Sequence, residues 1–458
     1  MALPLIVSTG MWSLQSVIDR AFLTWYSNEA VAAAMGGGIL AFTILVLFTG
    51  TAAYCNTFVA QYVGAKLPRR VGVAVWQAIF FGVAAGIVLL AISQLGAPLV
   101  RRLGRSAEMG ALKATYFRIV LGGSGFLVIG AALSSFFSGR EDTVTVMIVS
   151  AISVVVNVTL NYLWIFGYGG FPEMGVAGAA MATVVSYFVN AALFFVLMLR
   201  RRYRERFGTL SGCKFDRALF RRLLRFGLPS GATLMLEMTV WALFLVLVEQ
   251  FGLVESAATA IAFNVASLGF MPMVGVGIAV STLVGKRQGE YKPDLAARTT
   301  WSALHLAVTY MGIIAALLVL VPGAFLSVFS ARANPEEFAP VAHVAVVLLR
   351  YVALMLAFDG LNIIFLSAIK GAGDTRFPLI ASTSLAWGIV GIPSLVLYGM
   401  GCRSVYVIWA LATAYLVALA FVVLWRFLGG KWRTMRVIEE VPPPHVIQHP
   451  AVPPTEIE

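Results

Sequence analysis

The chain has 458 residues, of which 60% are apolar and only 12% are charged. Soluble domains carry about twice that charged fraction, so the composition excludes an ordinary soluble protein and predicts an all-α integral membrane protein. The net charge of +12 lies mostly in short segments between apolar stretches. This placement is typical of a membrane protein, and we expect no binding to nucleic acid.

Twelve apolar stretches are long enough to cross a bilayer, because about 20 apolar residues span its hydrocarbon core. They are residues 3–25, 33–63, 74–100, 114–138, 144–167, 174–199, 227–251, 257–285, 299–322, 340–369, 377–399 and 403–428. The sequence therefore predicts an N-terminal six-helix bundle at 1–199, a basic linker at 200–226 and a C-terminal six-helix bundle at 227–428. Residues 429–458, which end in a proline-rich stretch, are predicted to form a disordered tail.

The two predicted bundles are related in sequence. When 225 is added to the residue number, identical residues recur as Leu3 and Leu228, Pro4 and Pro229, Gly50 and Gly275, Thr57 and Thr282, Gly64 and Gly289, Pro68 and Pro293, and Trp76 and Trp301. Further along, the offset becomes 232 and pairs Gly139 with Gly371 and Asp142 with Asp374. Because each unit has an even number of spans, the repeats are parallel. A doubled, polytopic unit indicates a transporter whose pathway lies between two pseudo-symmetric halves.

Basic residues predict the orientation in the membrane. They concentrate on the side that holds the N-terminus, the linker and the C-terminus, namely in 66–70, 200–225, 286–298 and 426–436 and at Arg140, Lys370 and Arg376. The positive-inside rule places these segments in the cytosol, which predicts a multi-pass protein of the plasma membrane, the inner membrane of a bacterium. Membrane lipid is then a partner, and contact of the linker with anionic lipid is a second interpretation of its charge. We expect no cleavable signal peptide, since no basic leader precedes the first span.

Two acids in the second half are the main functional candidates, because an ionised side chain in a membrane helix costs roughly 3 kcal/mol or more. Glu237 lies about 18 Å along the seventh span from Arg225, and Asp359 lies about 16 Å before Lys370 at the end of the tenth. The two acids thus reach similar depths near the bilayer midplane. Facing each other, they could hold a proton or a sodium ion. The structural alternative is a hydrogen bond from each acid to a neighbouring helix.

The first half carries a different polar set. Asp19 in the first span, Asn157 and Asn161 on one face of the fifth, and Thr183 in the sixth share one depth. Carboxylate, amide and hydroxyl oxygens suit a hard cation, whereas a protonation site needs only the acid. Gln15 could line a cavity beside Asp19. Interhelical polar packing, worth about 1 kcal/mol per hydrogen bond, is the alternative interpretation.

Several motifs resemble those of the multidrug and toxic compound extrusion (MATE) transporters, over about residues 3–428. The first half contains Val17-Ile18-Asp19, Gln61-Tyr62-Val63-Gly64-Ala65 and the glycine-rich run Gly175-Val176-Ala177-Gly178-Ala179-Ala180-Met181-Ala182-Thr183. The second half contains Gly227-Leu228-Pro229, Glu237, Phe358-Asp359-Gly360 and Gly371-Ala372-Gly373-Asp374-Thr375. The glycine-rich run is the most specific of these matches.

The resemblance implies two six-helix bundles in a V-shaped, alternating-access arrangement. It implies export of cationic and amphipathic drugs, including antibiotics, in exchange for Na⁺ or H⁺. Glu237 and Asp359 match acids that the NorM-like branch associates with cation coupling, which makes them candidate Na⁺ ligands. With Asp19 and Gln15 they are also candidates for binding the organic cation. The DinF-like branch usually has an aspartate where this chain has Asn161, so the resemblance favours the NorM-like branch.

A second hypothesis keeps the architecture but assigns a flippase for a lipid-linked saccharide, from the same superfamily. Such flippases tend to carry intramembrane cations for pyrophosphate, and here few basic residues lie inside the spans, Arg118 among them. An enzyme or channel fits poorly, since no nucleophile motif, metal triad or pore loop is visible. The three cysteines are far apart and form no recognisable framework. We therefore expect a monomeric transporter without a cofactor, whose coupling ion is Na⁺ or H⁺.

Overall fold

The computed structural model describes residues 1–104, 106–330 and 335–439, and every regular element in these ranges is helical. The first half comprises α1 (Ala2–Tyr26), α2 (Asn28–Ala53), α3 (Cys55–Gly64), α4 (Pro68–Arg102), α5 (Ala107–Gly123), α6 (Gly125–Ser138), α7 (Thr143–Phe166) and α8 (Gly175–Met198). After α9 (Arg201–Phe207), the second half comprises α10 (Arg217–Glu249), α11 (Leu253–Gly289), α12 (Pro293–Leu320), α13 (Pro322–Ser330), α14 (Pro335–Ala372), α15 (Arg376–Leu385), α16 (Ile392–Gly399) and α17 (Val405–Leu428).

The predicted all-α membrane architecture is confirmed. Eleven helical segments of the described chain are long and apolar enough to cross a membrane. Helices α2 and α3 form one such segment, as do α5 with α6 and α15 with α16. The remaining predicted span is α1, which has the length of a span but is less apolar because it carries Gln15, Asp19 and Arg20.

Glycines bring the two halves together around a pseudo-two-fold axis. A Cβ on Gly64 of α3 would collide with the main-chain oxygen of Lys286, and a Cβ on Gly289 of α11 would collide with the main-chain oxygen of Gln61. Gln61 and Lys286 are themselves related by the repeat offset of 225, so the two contacts are symmetry equivalents. Helices α3 and α11 can therefore cross this closely only because glycine has no side chain.

A second pair of contacts obeys the same symmetry deeper in the membrane. A Cβ on Gly50 of α2 would lie 2.9 Å from the Cα of Gly231, and one on Gly275 of α11 would lie 2.7 Å from the main-chain nitrogen of Ile6. Ile6 and Gly231 are related by the same repeat offset. Helix α2 thus packs on α10 as α11 packs on α1, which is the relation expected of parallel repeats.

One end of the molecule, which we call the basic end, holds residues 61–72, 139–142, 286–292 and 371–376. Among the described residues, hydrogen bonds between the halves concentrate there. Asn56 Nδ2 donates to Thr282 Oγ1 at 2.8 Å, and Lys286 Nζ pairs with Glu141 at 2.8 Å. The bond furthest into the membrane runs from Thr9 Oγ1 to the oxygen of Met271 at 3.1 Å. The halves are therefore joined at the basic end.

The predicted linker at 200–226 is more structured than a simple connector. Its central loop is fixed to α4, where Trp76 Nε1 donates to Thr209 O at 2.6 Å and Gln77 Nε2 donates to Lys214 O at 2.8 Å. Helix α10 begins at Arg217, ten residues before the predicted span. The earlier start follows from Asp216, whose carboxylate caps the helix by accepting from the amides of Ala218 and Leu219 at 3.0 Å.

Arg140, which the sequence places between two spans on the cytosolic side, is enclosed by aromatic rings. Its guanidinium carbon lies 3.9 Å from the ring centre of Phe136, 4.4 Å from that of Tyr203 and 4.7 Å from that of Phe207. Burial lowers the pKa of the Arg140 guanidinium from its usual value. Cation–π contacts of this kind attach α9 to the end of α6.

The prediction of a disordered tail from residue 429 is wrong for residues 429–439. Lys431–Thr434 form a 3₁₀ turn, and Trp432, Val437 and Ile438 are buried. The predicted disorder fails here because the indole of Trp432 stacks on Phe427 at a centroid distance of 4.9 Å. Residues 440–458 lie outside the described part of the chain.

We predict that Gly64→Ala and Gly289→Ala each destabilise the protein by about 1–3 kcal/mol, because a methyl group would overlap a main-chain oxygen of the other half. Thermal unfolding in detergent measures the effect. Gly312→Ala is the matched control, since no heavy atom lies within 4 Å of the position that its Cβ would take and alanine favours the helix. Equal melting temperatures for all three variants would contradict the predicted close contact.

Candidate ion and substrate sites

The first half brings three of the predicted polar residues into direct contact. Asn161 Nδ2 of α7 donates to Asp19 Oδ1 of α1 and, at 3.1 Å, to Asn157 Oδ1 one turn earlier. Both asparagines are fully buried, whereas Asp19 is half-buried. Asn161 Oδ1 and Asn157 Nδ2 have no partner among the described residues. The cluster thus keeps one unused acceptor and one unused donor beside a carboxyl group.

Thr183 lies near this cluster but is not hydrogen-bonded to Asp19. Its hydroxyl donates to Ala179 O, one turn earlier in α8, at 3.0 Å. Two tyrosines that the sequence did not single out complete the surroundings. Tyr116 of α5 lies close enough to interact with Thr183, and both Tyr116 and Tyr187 interact electrostatically with Asp19. An aromatic residue within an apolar span gives no sequence signal that separates it from the core.

Gln15 and Arg20 flank Asp19 on α1. Gln15 is buried one helical turn before Asp19, so it borders the same cluster. Arg20 is exposed, although its charge acts on the neighbouring acid. The organic-cation role predicted for Gln15 is therefore compatible with its position.

Glu237 of α10 occupies an enclosed, largely apolar pocket in the second half. The pocket is lined by Glu237 together with Val240, Trp241, Ala386, Val390 and Tyr415. The Tyr415 hydroxyl of α17 donates to Glu237 Oε1 at 3.5 Å, and Ser382 lies close enough to interact with the same carboxyl group. A hydrogen bond of this length is weak, so the acid is held loosely.

Asp359 of α14 lies near enough to Glu237 for their charges to interact. Asn362, one turn later, lies close enough to interact with the Asp359 carboxyl group. Its Nδ2 also donates to Leu416 O of α17 at 3.0 Å, while its Oδ1 is buried without a partner among the described atoms. The two predicted acids thus lie on different helices, close enough for their charges to interact, and an unused amide oxygen lies one turn from Asp359.

Lys370, predicted to lie at the cytosolic end of the tenth span, is not fully exposed. It is half-buried, and its charge interacts with that of Glu237. The end of α14 is covered by residues 436 and 437, which contact Gly373. The ammonium group of Lys370 is a counter-charge for Glu237.

The span that faces Glu237 contains a break in its α-helical geometry. Ala386–Gly391, between α15 and α16, form a π-helical turn, and Ala386 and Val390 of this turn line the pocket. Along the same span, the buried hydroxyls of Ser382, Thr383 and Ser394 lack well-aligned partners among the described residues. Such turns frequently mark functional sites. An unpaired buried oxygen costs about 1–3 kcal/mol unless water or an ion satisfies it.

The ligands available for a cation are oxygens from several residue types. Within the described ranges, no three His, Cys, Asp or Glu side chains are grouped as metal ligands. A cation at Glu237 and Asp359 would therefore use the two carboxyl groups with hydroxyl and amide oxygens such as those of Tyr415 and Asn362. Oxygen ligands of this kind suit Na⁺ or a proton better than a transition metal.

The chain has two parallel six-span halves, with acids inside each half. These features define it as a membrane transporter of the class that its motifs resemble. The profile of the MatE family matches residues 4–163 and 229–397, so the chain belongs to the MATE family. A probable multidrug resistance protein NorM of Mesorhizobium japonicum is 29% identical over 443 residues, which cover 93% of this chain and 92% of the relative. A probable multidrug resistance protein NorM of Thermotoga maritima is 26% identical over 443 residues, which cover 96% of this chain and 93% of the relative. The predicted NorM-like relationship is confirmed.

Solved structures agree on the fold. An outward-facing multidrug resistance MATE family transporter of the MOP superfamily superposes with a TM-score of 0.82 at 18% identity, over 95% of both chains. The eukaryotic MATE transporter AtDTX14 superposes with a TM-score of 0.80 at 19% identity, over 94% of this chain and 95% of the other. The predicted fold of two six-helix bundles is confirmed.

We predict that Asn161→Ala lowers stability by about 1–2 kcal/mol, because Asp19 and Asn157 both lose their hydrogen-bond donor. Thermal unfolding in detergent tests this. Thr159→Ala in the same helix is the control, since that exposed hydroxyl bonds only to Val155 O of its own helix, at 2.8 Å. Indistinguishable melting temperatures for the two variants would show that the cluster contributes no stability.

Proposed function

We propose that this protein is a secondary active multidrug efflux antiporter of the plasma membrane. It exports cationic and amphipathic compounds in exchange for Na⁺ or H⁺. The observation that carries the proposal is the pair of acids, Glu237 and Asp359, held near each other inside the second half. The relatives named as multidrug resistance proteins support the substrate class. An ion gradient supplies the energy in this proposal, since the two acids can hold the ion that flows down it.

The acid pair couples the two fluxes by competition. Two carboxylates close together in an apolar setting repel each other, so the pair favours a bound cation or proton. Entry of the coupling ion neutralises the pair and removes the attraction for a cationic drug. The ammonium of Lys370, which already interacts with Glu237, limits how much positive charge the pocket retains. Drug and ion therefore occupy the site in alternation.

The first-half cluster takes a different role in this proposal. Both amide hydrogens of Asn161 point at oxygens that a metal cation would need, those of Asp19 and Asn157. A sodium ion would have to displace these hydrogen bonds, which disfavours a metal site there. We therefore assign ion coupling to the second half. Asp19, with Gln15 and Thr183 nearby, contributes to proton or substrate binding.

The basic end faces the cytosol in our proposal, in agreement with the positive-inside rule. Because the halves are hydrogen-bonded to each other at that end, the described conformation corresponds to an outward-facing state. The drug is released to the outside from this state, and the coupling ion enters. Return to the inward-facing state requires α3 and α11 to separate.

We predict that Glu237→Gln and Asp359→Asn each reduce ion-coupled efflux of a fluorescent organic cation by at least about tenfold, or about 1.4 kcal/mol. Efflux is measured in proteoliposomes with sodium and pH gradients imposed separately, which also identifies the ion. Glu249→Gln is the control, because this acid lies on the same helix but is exposed at its end.

The variants must first elute as single species in gel filtration, which excludes loss of fold. Wild-type efflux rates in both acid variants would overturn the proposed coupling site. Normal binding and translocation of a lipid-linked saccharide, with no efflux of organic cations, would instead favour the flippase hypothesis.

A further inference from the structure

A groove of about 440 Å³ lies between α11, α12 and the start of α1, at the basic end. Its apolar wall includes Val276, Val280, Leu283 and Leu306. Arg287 and Arg298 line the part of the groove that is nearest to the basic end of the molecule. From Val276 to Arg287 the groove extends about 16 Å along α11. That length is about half of the roughly 30 Å hydrocarbon core, so the groove runs through one leaflet.

The groove combines positive charge at one end with apolar walls, and this combination fits an anionic lipid. Arg298 is exposed and forms no ion pair among the described residues, whereas Arg287 pairs with Glu290 at 2.7 Å. Thr299 and Ser302 also line the groove. We propose that the groove binds an anionic glycerophospholipid, with its phosphate at Arg287 and Arg298 and an acyl chain along the apolar wall.

Native mass spectrometry of the purified full-length protein tests this site, with titration by phosphatidylglycerol or by phosphatidylcholine of the same acyl chains. We expect tighter retention of phosphatidylglycerol, reduced about tenfold in Arg287→Gln/Arg298→Gln. Ala303→Trp, which fills the groove but keeps the arginines, should weaken the binding of both lipids. Arg217→Gln/Arg221→Gln is the control, because both residues are exposed at the basic end on α10.

Equal affinity for the two lipids, or no effect of the groove variants, would reduce the site to nonselective lipid contact and overturn the proposal. Displacement of phosphatidylglycerol by millimolar inorganic phosphate would also overturn it, since a free phosphate would then be sufficient.

A separate observation concerns residues 431–439, which we call the C-terminal strap. On the second half, Gln288 Nε2 of α11 donates to Trp432 O at 2.9 Å, and Arg433 pairs with Asp294 of α12 at 3.1 Å. The indole of Trp432 is completely buried. The beginning of the strap is thus anchored to the helices of the second half.

The end of the strap is attached to the first half. Val437 N donates to Gln61 Oε1 of α3 at 2.9 Å, while Gln61 Nε2 donates to Gly371 O at 3.1 Å. Glu439 accepts from the Tyr62 hydroxyl at 2.7 Å and pairs with Arg70 of α4 at 3.0 Å. The strap therefore crosses the line along which α3 meets α11.

We propose that the C-terminal strap is a latch that stabilises the closed basic end and is released when that end opens. This inference rests on the alternating-access motion in the proposed function. The ion pairs of Glu439 are partly exposed and contribute little. Most of the latch energy comes from the burial of Val437 and Ile438 and from the Val437–Gln61 hydrogen bond.

Spin labels at Arg69 and Lys292, both exposed at the basic end, report its opening through electron–electron distances in nanodiscs. A chain ending at Gly430 lacks the strap, and a chain ending at Glu439 keeps it, which controls for loss of residues 440–458. Val437→Pro removes the hydrogen that is donated to Gln61 and also changes the buried side chain, so it weakens both main contributions to the latch, with exposed Thr434→Ala as its control.

We expect the share of long distances to rise about tenfold in the chain ending at Gly430, and to rise also in Val437→Pro. The two controls should match the full-length protein. Identical distance distributions in all five proteins would overturn the latch. Because the distances do not depend on transport, failure of drug efflux in the full-length protein would contradict the antiporter proposal alone.

Discussion

The close approach of the two halves depends on glycines that face main-chain oxygens across the pseudo-two-fold axis. Gly64 and Gly289 each accommodate the carbonyl group of the opposite repeat, and Gly50 and Gly275 repeat the arrangement at greater depth. In a membrane, helices gain no hydrophobic advantage from leaving lipid, so close packing and hydrogen bonds must hold them together. The hydrogen bonds of Asn56 and Gln61 can form only because the glycines let the helices meet.

The symmetry of this scaffold does not extend to the acids. At the offset of 225, Asp19 corresponds to Phe244 and Glu237 to Trp12, and at the offset of 232, Asp359 corresponds to Leu127. Where one half carries an acid, the equivalent position of the other half therefore carries an apolar side chain. The two halves can move as matched bodies while only the second presents a pair of carboxyl groups.

Features that repeat or carry charge could be predicted from the sequence, and features set by tertiary packing could not. The repeat offset paired Gly64 with Gly289, and the cost of charge in lipid singled out Glu237 and Asp359. The interaction of Lys370 with Glu237 was missed because it joins two helices that are distant in sequence. The π turn at Ala386–Gly391 and the tyrosines around Asp19 were missed because apolar spans look alike in periodicity.

The order in which the chain is synthesised gives the C-terminal strap a further consequence. Residues 431–439 follow α17, the last helix of the described residues, so they leave the ribosome after all the described spans. The hydrogen bond between Val437 and Gln61 joins the strap to the second span, across nearly the whole length of the chain. The contacts of the strap at the basic end thus form only after all the described helices have been synthesised, and the first half must remain in the membrane without them while the second half is made.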